Sequence, residues 1–188
     1  MKHFLSGLFF LALTTLATAA NYTINSQHAH ARFSLLYLGQ KSHVGGFYGL
    51  NGVLAFDETR QTGTIDLIIP VNTLKTSSNQ FTEYLKSEDL FNAQAFPKMR
   101  FVSTQFNFQN GNLVSVNGNL TALGKTHPVK LVAQKFGCRT GQPHKNRVCR
   151  GRFTATLDRT QWGMNYLIGK GVGRDVDLTV VIEAATNH

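Results

Sequence analysis

Apolar and polar residues alternate one for one along most of the chain, which is the period of a half-buried β-strand. Ala29, Ala31, Phe33 and Leu35 alternate with His28, His30, Arg32 and Ser34. A Gly-rich extended run covers Val44 to Asp57. Ile65, Leu67, Ile69 and Val71 share one face, as do Met99, Phe101 and Ser103. Val114, Val116, Gly118, Leu120 and Ala122 form the next face, followed by Val129, Leu131 and Ala133. Phe153, Ala155 and Leu157 precede a last run of Val176, Leu178, Val180 and Ile182. These are eight candidate strands. Asn110-Gly111 is a two-residue hairpin signal, and Thr59–Gly63 and Gly124–Pro128 are ordinary turns. Consecutive hairpins predict an all-β, eight-stranded antiparallel meander closed into a barrel. An interior of that size is filled by side chains or holds one slender ligand.

One segment departs from the alternation. Residues 78–93 read SNQFTEYLKSEDLFNA, with Phe81, Tyr84 and Leu85 at helical spacing. This predicts a short helical segment covering one side of the barrel. Phe81, Leu85 and Phe91 are expected in the core, and a gate over the barrel mouth is the functional alternative.

The first residues, Met1-Lys2-His3, are basic. An apolar stretch from Phe4 to about Leu16 and the small residues Ala17-Thr18-Ala19-Ala20 follow. This is the pattern of a secretory signal peptide over 1–19, cut before Ala20 or Asn21. An uncleaved anchor is the alternative, but the run is shorter than the roughly 20 residues a spanning helix needs. The remainder, 20–188, reads as a single exported domain. No Cys follows the signal, which argues against a lipoprotein.

The net charge is +9, from 19 Lys and Arg against 10 Asp and Glu. The basic residues are scattered, which fits a solvated surface or attraction to anionic lipid head groups. Peripheral membrane contact is therefore an expectation, and nucleic acid is not. Cys138 and Cys149 flank a loop of turn formers and are expected to form a disulfide in an oxidising compartment. A loop of that size is worth on the order of 3 kcal/mol.

Catalytic chemistry is hard to place. There is no G-x-S-x-G nucleophile elbow and no marked pair of carboxylates. Gly169-Lys170-Gly171-Val172-Gly173 lacks the strand-then-helix setting of a phosphate loop. His28, His30 and His43 are the best metal candidates, since residues two apart share a strand face. That face lies opposite Ala31 and Phe33, and spacing fixes no third ligand. No catalytic residue, metal site or cofactor is expected. What stands out is apolar: 14 Phe, with small residues interleaved on the presumed inner face.

Five stretches carry a resemblance. They are HAHARF (28–33), HVGGFYGLNGVLAFD (43–57), EYLKSEDLFNAQAFPKMRFVST (83–104), VNGNLTALGKTHPVKL (116–131) and DRTQWGM (158–164). The chain resembles the YceI-like family of periplasmic polyisoprenoid-binding proteins. The resemblance implies a lipocalin-like barrel with an elongated apolar tunnel. It implies a non-enzymatic carrier of a long isoprenoid lipid, either a prenylated quinone such as ubiquinone or a polyprenyl phosphate. With the faces assigned above, the tunnel is expected to be lined by Ala31, Phe33, Leu35, Phe47, Leu67, Phe101, Leu120, Leu131, Phe153, Trp162 and Leu178. Arg32, Lys41, His43, Lys75 and Arg100 are candidates for meeting a head group at the mouth. A homodimer is a further expectation. The alternatives are a filled barrel acting as an envelope interaction or stress-related module, and a metal-dependent enzyme using His28 and His30.

Overall fold

The structure is a computed structural model that describes residues 19–140 and 146–186, without the side chains of 43 and 44. The signal-peptide reading of 1–19 thus lies almost wholly outside the described residues, and the Cys138–Cys149 loop lies partly outside them. Ten strands run in chain order: β1 (Ala20–Ile24), β2 (His30–Tyr37), β3 (Gln40–Tyr48), β4 (Asn51–Asp57), β5 (Thr62–Pro70), β6 (Lys98–Gln109), β7 (Asn112–Ala122), β8 (Lys125–Thr140), β9 (Arg147–Asp158) and β10 (Val172–Thr186). One helix, α1 (Asn79–Lys86), stands between β5 and β6.

These ten strands occupy eight positions. β1 pairs with β4 (Tyr22 opposite Leu54) and β2 with β3 (Ala31 opposite Phe47). Together they form one long hairpin interrupted at 25–29 and 49–50. Every later strand is antiparallel to its predecessor, and β10 hydrogen-bonds to β9, β2 and β1. The result is a closed eight-stranded antiparallel barrel, as the alternation predicts.

Two ends follow from this topology. The β2–β3 and β7–β8 turns, α1 and the segment from Arg159 to Gly171 lie at one end, called here the helix end. The β4–β5, β6–β7 and β8–β9 connections lie at the other. β5 stops at Pro70, so β3 has no strand beside it at the helix end. The 71–97 connection takes that place. Gly46 and Lys75 exchange two backbone hydrogen bonds of 2.9 Å each. A Cβ on Gly45 would stand 2.6 Å from the Lys75 carbonyl oxygen, so this close approach requires glycine.

Most inward positions are the predicted ones, with two corrections. Val114 points outward, because it is the extra residue of a bulge: Asn107 opposes Ser115 while Phe108 opposes Leu113. Phe81 is exposed; of the residues expected in the core from this segment, Leu85 is buried and Phe91 packs on the core half-buried. Ser78 caps α1 by accepting a hydrogen bond from the Phe81 amide, and the turns after Lys86 carry Leu90 and Phe91 inward.

Candidate functional site: an apolar cavity

The barrel interior divides into two halves. Away from the helix end it is filled. Phe56 and Phe136 meet edge to face with centroids 5.1 Å apart, and Phe108 stacks on Phe56 at 6.2 Å. The space left among Leu54, Ile65, Phe106, Val116, Phe153 and Ile182 is about 10 Å³, roughly the minimum for one water. Glycine makes this density reachable: a Cβ on Gly151 would stand 2.5 Å from the Phe153 ring, which lies over it.

Towards the helix end the interior is not filled. A partly open cavity of about 160 Å³ lies there, roughly ten times the space one water needs. Its wall comes from every part of the barrel: Ala31, Phe33 and Leu35 on β2, Leu67 and Ile69 on β5, Phe101 on β6, Leu120 on β7, Leu131 on β8 and Leu178 on β10. Leu85 and Phe91 from the connection and Trp162 and Met164 from the last turn close it. Gly118 leaves room for one wall residue, since a Cβ there would lie 2.4 Å from the Phe101 ring. The small Ala31 and Ala122 leave space that larger side chains would fill. All the side chains expected at the tunnel line this cavity except Phe153, which belongs to the filled half because Gly151 seats its ring there.

One wall residue is charged and has no counterpart in the sequence reading. Arg159 is only 7% exposed. It donates from Nε to the Gly173 carbonyl (2.9 Å), from one terminal nitrogen to Met164 (3.0 Å) and from the other to Tyr166 (2.8 Å). It is thereby the knot that holds the 163–173 loop across the barrel end. Burial lowers its pKa, and the Asp158 carboxylate opposes that shift. Beside it, Trp162 donates its indole N–H to the Leu120 carbonyl at 3.1 Å. The sequence signal was present in DRTQWGM: an Arg between a capping Asp and a buried Trp. Nothing local reveals that it is buried.

Four of the head-group candidates, Arg32, Lys41, Lys75 and Arg100, do not stand at the cavity. Arg32, Lys41 and Lys75 line a groove on the outer barrel wall, together with His30 and Arg152. Arg100 is held outside by Asp66, with Nε 2.8 Å from Oδ1. The reason is strand parity: Arg32 and Arg100 sit out of phase with Ala31 and Phe101. The His43 side chain lies outside the described residues. His28 Nδ1 is 2.6 Å from Glu183, whereas His30 stacks on Tyr48 at 5.9 Å. Among the described residues no three His, Cys, Asp or Glu side chains gather as a metal site would require. Cys138 and Cys149 face each other across β8 and β9 and form a disulfide.

The model of the YceI-like domain matches residues 22–184. The chain belongs to the YceI-like family. Protein YceI of Salmonella agona is 33% identical over 143 residues, covering 73% of this YceI-like chain and 74% of that protein. A UPF0312 protein of Pectobacterium atrosepticum is 28% identical over 182 residues, covering 95% and 93%. Among solved structures, a mutant Campylobacter jejuni YceI protein superposes with a TM-score of 0.72 at 20% identity, covering 79% of this chain and 88% of that one. A polyisoprenoid binding domain from Saccharophagus degradans superposes at 0.62 with 12% identity, covering 90% and 99%. At these identities the structural likeness is one of fold, and the fold shared is the closed YceI barrel.

Proposed function

We propose that this chain is a non-enzymatic carrier that holds a long isoprenoid lipid in its apolar cavity. The ligand would be a prenylated quinone such as ubiquinone, or a polyprenyl phosphate, and the compartment the periplasm. The observation that carries this reading is the cavity itself: about 160 Å³ of space in a wall that offers almost nothing to water. Each methylene buried there contributes about 0.8 kcal/mol, so a tail of many carbons binds without a polar contact. The polyisoprenoid-binding neighbour of the same fold supports the ligand class. The basic, apolar and small-residue pattern of 1–19, with the disulfide, supports the compartment.

The test is mass spectrometry of an organic extract from the protein purified out of its native envelope. A stoichiometric prenyl lipid is expected, and its head group would name the ligand. Ala31 stands on the cavity wall and is 8% exposed. Ala31→Trp should fill the space and clear the extract of lipid while the far-ultraviolet circular dichroism stays that of the barrel. Lipid retained at the native ratio by that variant would contradict the cavity assignment.

A further inference from the structure

The exposed large apolar side chains of the described residues fall into two groups. Val53, Val102, Val114 and Val132 are single outward strand residues, which any barrel carries. All the others collect at the helix end: Leu36, Tyr37 and Leu38 on the β2–β3 tip, Phe81 and Tyr84 on α1, and Tyr166 in the closing loop. Phe81 stacks on Tyr84 (6.4 Å) and Tyr84 meets Tyr166 edge-on (5.8 Å), so the aromatic group forms a continuous surface. A hydrogen bond with Tyr166 pushes the Tyr84 phenol up to about 12.

The turns add an independent observation. At the filled end, left-handed backbone is given to Gln61 (φ 54°) and Asn110 (φ 50°). At the cavity end the same conformation falls on Leu38 (φ 50°), Leu123 (φ 49°) and Leu167 (φ 57°). Asn92 (φ 41°) is also at the cavity end, where its side chain accepts a hydrogen bond from the Ala95 amide. Left-handed backbone is strained for leucine and easy for Asn or Gly. Burial does not offset the strain at Leu38, which is 69% exposed. Folding alone would favour a different residue there.

The surroundings indicate what the surface meets. Lys98, Lys125 and Lys170 are exposed at this end without an ion pair among the described residues. Glu88, Asp89 and Asp175 are the acids there in the same condition. A protruding leucine tip, tyrosines behind it and lysines around it match the layering of a bilayer interface, from acyl boundary to phosphates.

We propose that the cavity end is a membrane-docking face. Leu36–Leu38, Phe81, Tyr84 and Tyr166 enter the head-group layer of an anionic bilayer while the lysines meet its phosphates. The cavity then opens towards lipid instead of water. This rests on the carrier reading for its purpose, though not for its test.

The test is flotation of the purified chain with vesicles of phosphatidylethanolamine and phosphatidylglycerol. The wild type should float. Leu38→Asn installs the residue that the Asn110 turn already uses, so its melting temperature should hold or rise. Its vesicle partition should fall about ten-fold, the equivalent of one exposed leucine no longer buried. Leu38→Asn with Phe81→Ser should remain unbound. A wild type that stays in solution overturns the proposal, as does a Leu38→Asn variant that floats like the wild type. A wild-type dimer that Leu38→Asn dissociates, without flotation, also overturns it and assigns the face to a second copy. Organic extraction of the same samples separates the two readings. Prenyl lipid without flotation removes the docking and leaves the carrier; flotation with a lipid-free extract does the reverse.

Discussion

Arg159 places a positive charge on the wall of an otherwise apolar cavity and spends three of its donors on the carbonyls of one loop. Arg159→Met keeps the length of the side chain but leaves those carbonyls unpaired. Part of that loss is offset because no cation need then be buried. A destabilisation of about 2–4 kcal/mol is expected in urea titration, with faster proteolysis inside 163–173. Other residues set the pH dependence. Burial raises the pKa of Glu183, but hydrogen bonds from His28 and Arg150 outweigh it and the net shift is downward. The Arg100 hydrogen bond holds Asp66 low as well. For these carboxylates the unfolded chain takes up protons first, so their stabilisation is complete above about pH 5 and lost as pH falls through the carboxylate range. His30 is lowered by burial and then by Arg32 and Arg152. The unfolded chain therefore gains that proton first too, and the loss begins just below the ordinary value of 6.5. The melting temperature should be level near pH 7–8 and fall in two stages on acidification. His30→Gln should abolish the upper stage and leave the lower. At this scale the sequence was legible wherever parity decided the answer. Arg32 and Arg100 could have been placed outside from their alternation with Ala31 and Phe101. The burial of Arg159 could not, because its partners are loop carbonyls that no side-chain pattern encodes.

The strands were readable because each buries one face, and period two survives in eight separate runs. Where a bulge adds a residue the phase slips, and this put Val114 on the wrong face. The α1 segment shows a different limit. Helical spacing groups Phe81, Tyr84 and Leu85, but does not tell that Leu85 turns inward while Phe81 and Tyr84 stay exposed. The interruption of the first hairpin is marked in sequence only by the turn formers Asn25-Ser26 and by Gly49, which takes φ 66°. The β8–β9 element carries its own prediction. Cys138 and Cys149 oppose each other at the filled end, 11 residues apart in sequence, and Cys149 is fully buried. Reduction should lower stability by about 3 kcal/mol. Urea titration with and without dithiothreitol checks this. Spectra of the aromatic core should remain native below the transition, because the closure of the barrel does not depend on the bridge.

Over the whole molecule the two halves of the interior do different work. The Phe56, Phe108, Phe136 and Phe153 half supplies close packing, and the helix-end half gives up packing to keep a space. Ligand held in that space should stabilise the native state by mass action. Stripping the lipid is therefore expected to lower the melting temperature, and restoring it at about 100 times Kd should return about 2.7 kcal/mol. Phe153 points inward as expected but lies in the filled half, because sequence gives the inward face of a strand and not the depth along the barrel axis. The closure of the barrel bears on how it forms. The seam is made by partners at opposite ends of the chain, with His30 beside Val181 and Ile24 beside Ala184. Every other ladder joins consecutive strands, or in β1–β4 the outer arms of the first hairpin, and can form early, while the seam must wait for loop closure over nearly the whole chain. The topology therefore predicts, as the last species before the native state, a curled sheet with two bare edges and an open apolar trough. Such an intermediate should fold slowly, and it is the state most exposed to edge-to-edge aggregation. It is also the state in which a long hydrocarbon chain could be laid in from the side instead of threaded through an end.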